Sequence, residues 1–137
     1  MATLTRNQNL VLSVLADHAA AMSAYQILDA LRPAGLRAPA QIYRALDHLV
    51  ASGRAHRIES LNAYVACDGG SHHAPVAFAI CDRCQTIAEL PAAGESSRLQ
   101  ASARSHDFAM DHATIEIHGL CRRCASRPQS GPPPGDA

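Results

Sequence analysis

Apolar and polar residues follow a helical period over the first 53 residues of the chain and a strand period over much of the remainder. The spacing predicts a first helix over residues 5–19, a second that ends at Pro33, and a third between Pro39 and Gly53. A Ser or Thr followed three residues later by Gln marks the start of each of the first two helices. The chain therefore begins with three short helices.

The third helix has one apolar face and one polar face. Its apolar stripe, predicted to be buried, consists of Ile42, Ala45, Leu46, Leu49 and Val50. The opposite face carries Arg37, Ala40, Arg44, Asp47, His48 and Ala51, flanked by Gln41 and Tyr43. Such a face fits a helix that contacts DNA, and it fits equally a helix face that contacts only water.

Two short strand patterns follow the third helix. Residues 55–59 and 63–66 are separated by Ser60, Leu61 and Asn62, which predicts a β-hairpin. Three helices followed by a hairpin form the winged helix-turn-helix arrangement, whose recognition helix enters the major groove. Residues 1–67 are therefore predicted to be a DNA-binding domain.

The rest of the chain predicts a small αβ domain. Residues 68–75 are expected to form a hinge, 76–125 the second domain, and 126–137 a Pro- and Gly-rich disordered tail. Strands are predicted at residues 76–80, 86–90 and 114–118, and a helix at 96–105. The predicted fold class is α+β, an N-terminal winged helix followed by an αβ dimerisation domain with a four-cysteine zinc site.

Composition narrows the class of protein. A formal net charge of zero over 137 residues excludes a broadly basic coat for nucleic acid. Residues 1–60 nevertheless hold six Arg against four acidic residues, and there is no Lys in the chain. No apolar leader and no apolar run of about 20 residues is present, so we expect a cytoplasmic protein without a membrane partner.

Four of the five cysteines form two Cys-x-x-Cys pairs, Cys81 with Cys84 and Cys121 with Cys124, separated by 36 residues. Four thiolates suit a closed tetrahedral zinc site, and the spacer has room for a strand, a helix and a second strand. Two disulfides or a redox-active pair are the alternatives. Nothing indicates an oxidising compartment, and thioredoxin-type motifs occur singly, so we predict a structural zinc.

A second set of metal ligands lies outside these pairs. His56, Cys67 and Glu89, with His72 or His73, offer imidazole, thiolate and carboxylate donors that zinc accepts. The set spans the predicted boundary between the two domains. Taken singly, each residue also has an ordinary interpretation as a surface histidine or a small buried cysteine.

The polar face of the third helix supplies the candidates for DNA contact. Arg44 can make a bidentate contact to guanine, and Tyr25 and Tyr43 can donate to phosphates. The predicted DNA-contacting residues are Tyr25, Arg37, Gln41, Tyr43, Arg44 and His48.

Several segments together resemble a known family. These are 22–25 (MSAY), 42–47 (IYRALD), 58–67 (IESLNAYVAC), 80–84 (ICDRC) and 115–121 (IEIHGLC). Over residues 4–125 the chain resembles the ferric uptake regulator superfamily of metal-responsive repressors, and within it the zinc uptake regulator branch.

The resemblance implies a homodimer built through the C-terminal αβ domain, binding a palindromic double-stranded operator. It implies about two zinc ions per chain, one structural and one regulatory. The structural ligands would be Cys81, Cys84, Cys121 and Cys124, and the regulatory ligands His56, Cys67, Glu89 and His73, with His72 as a substitute for His73. The implied function is a zinc-responsive repressor of zinc-uptake genes, not an enzyme.

Two departures bear on the metal. The iron-sensing branch carries a His-His-x-His cluster before the first cysteine pair, whereas residues 76–80 read VAFAI. This absence and the soft Cys67 ligand favour zinc over iron. The hinge length differs from that of related zinc sensors, which leaves His72 and His73 both open, and His112 and His118 are interpreted as structural. The rivals are an iron or peroxide sensor of the same superfamily and a zinc-ribbon redox or interaction protein.

Overall fold

The computed structural model of the protein describes residues 3–67 and 75–127. The predicted hinge lies outside the described residues except for Pro75, and the predicted tail does so except for its first two residues. Within the described ranges, no helix combines the length and the apolar character that crossing a membrane requires.

The N-terminal half is the expected winged helix. Its helices are α1 (Arg6–Ala16), α2 (Ala24–Leu31) and α3 (Pro39–Ala51), with a 3₁₀ turn at Arg32–Ala34. Its strands are β1 (Ala55–Ile58) and β2 (Ala63–Ala66), joined by a 3₁₀ turn at Glu59–Leu61. We call the segment from β1 to β2 the wing.

Local sequence sets the helix starts. The Gln8 amide donates to the Thr5 hydroxyl at 3.2 Å, and the Gln8 side chain accepts from the Thr5 amide at 2.9 Å. Ser23 and Gln26 repeat this reciprocal box, and Pro39 occupies the first turn of α3. Each box satisfies two amides that the helix itself leaves without partners.

The three helices share one core. Its fully buried large side chains include Val11, Leu15, Ile27, Ile42, Leu46 and Leu49. The predicted stripe of α3 is therefore buried, with one correction: Val50, at its end, is 39% exposed. Burial of this stripe fixes the rotation of α3 and turns its polar face outward.

The prediction of a first helix over residues 5–19 was too long, because α1 ends at Ala16. The chain beyond it pairs with two strands instead. Ala19 accepts a hydrogen bond from the Ile87 amide at 3.4 Å, and Met22 exchanges two backbone hydrogen bonds with Tyr64. These strand-type bonds replace the helical ones, and His18, within the predicted span, is exposed.

The C-terminal half is a three-stranded sheet with two helices. Its elements are β3 (Val76–Cys81), β4 (Ile87–Pro91), α4 (Ala93–Ser105), β5 (Ile115–Gly119) and α5 (Arg122–Ser126). The strand order is β4-β3-β5, with β3 antiparallel to β4 and parallel to β5. The short helix α5 was not predicted, and it includes Ser126, where the tail was expected to begin.

The sheet has two different faces. Residues at alternate positions share a face, and register partners lie side by side. The inner face consists of Val76, Phe78, Ile80, Ile87, Glu89, Pro91, Glu116 and His118, and the outer face of Ala77, Ala79, Cys81, Ala88, Leu90, Ile115, Ile117 and Gly119.

The wing packs on the inner face. Ile58 and Val65 of the wing form a buried cluster with Phe78 and Ile80 of β3, and Leu61 packs against it. Contact between apolar side chains removes them from water and favours this docked arrangement. The packing brings the wing beside the polar residues of the same face.

Candidate metal centres and nucleic-acid interface

Parallel pairing of β3 with β5 brings the two Cys-x-x-Cys pairs together. Cys81 ends β3 and is the register partner of Gly119 in β5. Cys121 follows β5 as the N-cap of α5, and Cys124 lies within that helix. The four sulfur atoms lie within 4.8 Å of one another, as the sequence predicted.

The spacing of the thiols fits zinc. All five cysteines of the chain are free thiols, so the disulfide interpretation is wrong. Zinc–sulfur bonds of about 2.3 Å set tetrahedral sulfur atoms about 3.8 Å apart. Cys84 Sγ and Cys121 Sγ are 3.7 Å apart. Four thiols in a closed group supply the full coordination of a structural zinc and leave no position for a substrate.

Protonation of the four thiols is uneven. Backbone amides, first that of Cys121 and then that of Cys84, lower the pKa of Cys81 to about 5. The Thr86 hydroxyl, 3.0 Å from Cys84 Sγ, lowers the pKa of Cys84. Burial, reinforced by the neighbouring thiols, raises the pKa of Cys124 to about 12. A dication is therefore needed to hold all four groups as thiolates.

Arg83 links the two cysteine pairs. Its Nη1 atom, in the first pair, donates to the Cys124 carbonyl oxygen in the second pair at 2.8 Å and to the Arg127 carbonyl oxygen at 3.4 Å. A guanidinium suits the last turn of α5, where carbonyl groups lack helical partners. A second link joins His118 Nδ1 to Asp82 Oδ1 at 3.0 Å.

Three residues of the predicted second site also come together. His56 lies on β1, Cys67 just beyond β2, and Glu89 on β4. Their donor atoms lie within 4.8 Å of one another. The cluster therefore takes one ligand from the wing, one from the residue that follows the wing, and one from the C-terminal sheet. His72 and His73, the candidates for a fourth ligand, lie outside the described residues.

The environment of His56 fits a metal ligand. Its Nε2 atom is 3.0 Å from Glu89 Oε1, and the two side chains are only 18% and 11% exposed. Within the described chain, Nε2 nevertheless makes no hydrogen bond, so the two atoms are close without the alignment of a hydrogen bond. Buried polar atoms almost always have partners, and an imidazole nitrogen that faces a carboxylate and a thiol is suited to share a metal with them.

Two other histidines have partners elsewhere. His118 contacts Asp82 beside the four-cysteine group, and His112 Nδ1 lies 2.7 Å from Asp111 on the surface. Neither belongs to a cluster of metal ligands in the described ranges.

The predicted DNA-contacting residues are exposed, apart from Gln41. Tyr25 on α2 is 62% exposed, and Arg37, Tyr43, Arg44 and His48 are also exposed. Gln41 differs, because its Oε1 atom accepts hydrogen bonds from the Arg37 and Ala38 amides at 3.1 and 3.2 Å. Its oxygen therefore caps the start of α3.

The sequence is 41% identical to the zinc uptake regulation protein of Escherichia coli (strain K12), over an alignment of 125 residues that covers 88% of this chain and 72% of that protein. The chain belongs to the zinc uptake regulator family. No protein-family model matches the sequence.

Two solved zinc uptake regulators share the fold. Holo XcZur matches with a TM-score of 0.84 and 42% identity, over 90% of this chain and 87% of that one. A zinc uptake regulator complexed with zinc and DNA matches with a TM-score of 0.82 and 39% identity, over 90% and 83% of the two chains. These likenesses confirm the predicted family and fold class.

Sequence reasoning missed the residues that support the sites in this zinc uptake regulator. Arg83 and Thr86 contact the four-cysteine group, and Glu116 contacts the wing. Arg83 lies inside the first Cys-x-x-Cys pair, which is a signal that its side chain lies near the site. Glu116 carries no such signal, because its partner, Ser60, is 56 residues away in the sequence.

We predict that Arg83→Met speeds the release of zinc from the four-cysteine site by about tenfold, as expected for loss of a group that supports metal ligands. The substitution keeps an unbranched, flexible side chain and removes the hydrogen bonds to the carbonyl oxygens of Cys124 and Arg127. Release is measured as the rate of zinc transfer to a coloured chelator. Arg122→Met, on the exposed start of the same helix, serves as the control, and equal rates for the two variants would contradict the role of Arg83.

Proposed function

We propose that the protein is a zinc-responsive repressor that binds operator DNA as a homodimer and controls genes for zinc uptake. The observation that carries the proposal is the cluster of His56, Cys67 and Glu89, whose donors come from both the wing and the C-terminal sheet. A ligand that joins these two parts of the chain favours one relative orientation of them. The zinc and DNA contained in the related solved structure support the same conclusion.

The cluster couples metal to DNA through the wing. Zinc, when bound, supplies the positive charge that lets a thiolate and a carboxylate remain together in a partly buried site. His56 and Glu89 then hold the wing against the inner face of the sheet. Because α3 packs in the same core as α1 and β1, its orientation follows that of the wing. The coupling is reciprocal: if zinc increases the affinity for operator DNA by a given factor, operator DNA increases the affinity for zinc by the same factor.

The expected content is about two zinc ions per chain, one in each cluster. The two clusters differ in the number of ligands that the described chain supplies. The four-cysteine group is complete and structural. The second group has three ligands in the described ranges, and we propose His73, with His72 as the alternative, as the fourth. Regulation belongs to the second group, since it alone joins the wing to the sheet.

The polar face of α3 is the proposed DNA-reading surface. Arg44 lies exposed near its middle, between Tyr43 and the exposed Asp47 and His48. A guanidinium can contact both acceptors of guanine in the major groove. We propose that three residues, Tyr25, Tyr43 and Arg37, contact phosphates and fix the position of the protein along the DNA. Gln41 would contact DNA through its amide nitrogen.

The outer face of the sheet supports a homodimer. Apart from Cys81 at its end, the side chains of this face are apolar, and Ile117 among them is 48% exposed. The helix α4 buries none of its 13 residues in its own chain, and isolated helices of this length are marginal in water. A second copy of the chain would cover both surfaces. The two-fold symmetry of such a dimer matches a palindromic operator.

The first prediction from this proposal concerns the metal. We expect Glu89→Gln to remove zinc-dependent operator binding while the protein keeps about one tightly held zinc per chain, because the four-cysteine site is untouched. Operator affinity is measured with and without added zinc, after a mild chelator has removed labile metal, and zinc is counted in each sample. Wild-type affinity should rise about tenfold or more with zinc.

Asp17→Asn, at an exposed position after α1, is the matched control and should behave as wild type. Strong operator binding by the stripped wild-type protein would overturn zinc regulation. Restoration by ferrous iron better than by zinc would point instead to an iron sensor.

The second prediction concerns DNA readout. Arg44→Ala should weaken operator binding by about 1–3 kcal/mol and relax the preference at one base pair, with zinc content unchanged. Binding is measured on the operator and on single-base variants of it. Arg122→Ala, which removes an exposed Arg from α5 instead, should leave the preference intact, and a uniform loss over all sequences for Arg44→Ala would make Arg44 a phosphate contact.

The third prediction concerns assembly. Ile117→Glu puts a charge on the outer face and should shift the protein from dimer to monomer in sedimentation experiments, because a charge buried in an apolar interface is strongly unfavourable. Ala51→Glu, which adds the same charge at the exposed end of α3, should leave the dimer intact. A wild-type monomer at micromolar concentration would contradict the proposal.

A further inference from the structure

Three residues form a row across the inner face of the C-terminal sheet. Phe78 of β3 is the register partner of Glu89 in β4 on one side and of Glu116 in β5 on the other. Register partners share a face, so two carboxylates flank one aromatic ring. Glu89 belongs to the proposed zinc site, whereas Glu116 belongs to no cluster of metal ligands in the described ranges.

The wing contacts every member of this row. His56 approaches Glu89 at 3.0 Å, and its ring centroid lies 5.1 Å from that of Phe78. Four residues further on, the Ser60 amide in the turn of the wing lies 3.2 Å from both carboxylate oxygens of Glu116. The wing therefore meets the sheet at two polar points, the zinc site and the Glu116 carboxylate, on either side of an apolar contact.

The Glu116 carboxylate is suited to this contact. Burial acts to raise its pKa, but hydrogen bonds from Ser60 and from the Glu59 amide outweigh that effect and lower the pKa below its ordinary value. The group is therefore ionised at neutral pH. A carboxylate that accepts from backbone amides makes a charge-assisted hydrogen bond, which is about twice as strong as a neutral one.

We propose that Glu116 is a zinc-independent anchor for the wing, a positioning residue that sets how much zinc is needed to bring the protein into its DNA-binding form. The inference rests on the proposed function, since it assumes that the docked wing binds the operator. It extends that function, because the contact is made without a metal and so favours docking in the zinc-free protein as well.

The position of Glu116 gives a distinctive thermodynamic expectation. Suppose that the form with the wing docked is a minority in the zinc-free protein. Loss of the Glu116 contact then lowers the population of the docked form, and the apparent affinity for zinc falls by the same factor. Operator affinity of the zinc-free protein falls by that factor too. At saturating zinc the docked form predominates again, so operator affinity returns to the wild-type value.

The test measures regulatory zinc affinity and operator affinity for Glu116→Ala and Glu116→Gln in the full chain with its structural zinc bound. We expect Glu116→Ala to weaken regulatory zinc binding about fivefold, which is the scale of one partly exposed hydrogen bond to a charged group. Glu116→Gln keeps an acceptor without the charge and should weaken it about twofold. Both variants should bind the operator as wild type does at saturating zinc.

Amide hydrogen exchange gives an independent readout. The amides of Glu59 and Ser60 should exchange faster in zinc-free Glu116→Ala than in zinc-free wild type, because the carboxylate that accepts from them is gone. The Gln8 and Gln26 amides, held by the capping boxes of α1 and α2, should exchange unchanged. Asp107→Asn removes a carboxylate from an exposed position after α4 and serves as the matched control.

The outcomes separate this inference from the function on which it rests. If wild-type protein needs zinc for operator binding but Glu116→Ala has wild-type zinc affinity, the anchor is disproved and the proposed function survives. A loss of operator affinity that saturating zinc does not restore assigns Glu116 to folding or to DNA contact, and also disproves it. If the wild type binds its operator equally well without zinc, the proposed function itself fails.

Discussion

The parallel pairing of β3 with β5 is the constraint on which both proposed zinc sites and the docking of the wing depend. Parallel neighbours cannot be joined by a tight turn, so a crossover connection must lie between them. Here it is formed by β4, α4 and their connections, within the 36 residues between the two cysteine pairs. The same pairing sets Cys81 beside Gly119, two residues before the second pair, and Glu116 beside Phe78.

A metal is well placed to stabilise such a connection. Closing a long loop costs conformational entropy before the contacts at its ends form, and a small domain gains little from its core to offset that cost. Four thiols at the ends of the crossover let one ion close the loop. Arg83 adds a hydrogen bond between the same two ends, so the position of Glu89 and Glu116 on the inner face rests on a unit that is already closed.

Much of this could be predicted from the sequence, because local signals carry it. Cysteine spacing indicated the four-thiol group, and reciprocal Ser or Thr and Gln pairs indicated two helix starts. Features that depend on contacts across the chain were not accessible. The first helix ends early because residues 19–22 pair with β4 and β2, and Gln41 closes the start of α3 through a bond that depends on the path of the preceding loop. Glu116 was missed because nothing near it in the sequence points to the wing.

The two metal clusters differ in what they connect, and this difference decides which of them can act as a switch. The four thiols all come from the ends of β3 and β5 and from α5, so occupancy there stabilises one unit without biasing its orientation toward another. His56 and Glu89 come from units that touch mainly through a small apolar cluster. A ligand shifts an equilibrium only by its different affinity for the two states, and only the second cluster would be dispersed if the wing left the sheet. In the proposed switch the bond between Glu116 and Ser60 breaks in the same motion, so zinc and the carboxylate act on one equilibrium, and the strength of the carboxylate contact sets the zinc concentration that docking needs.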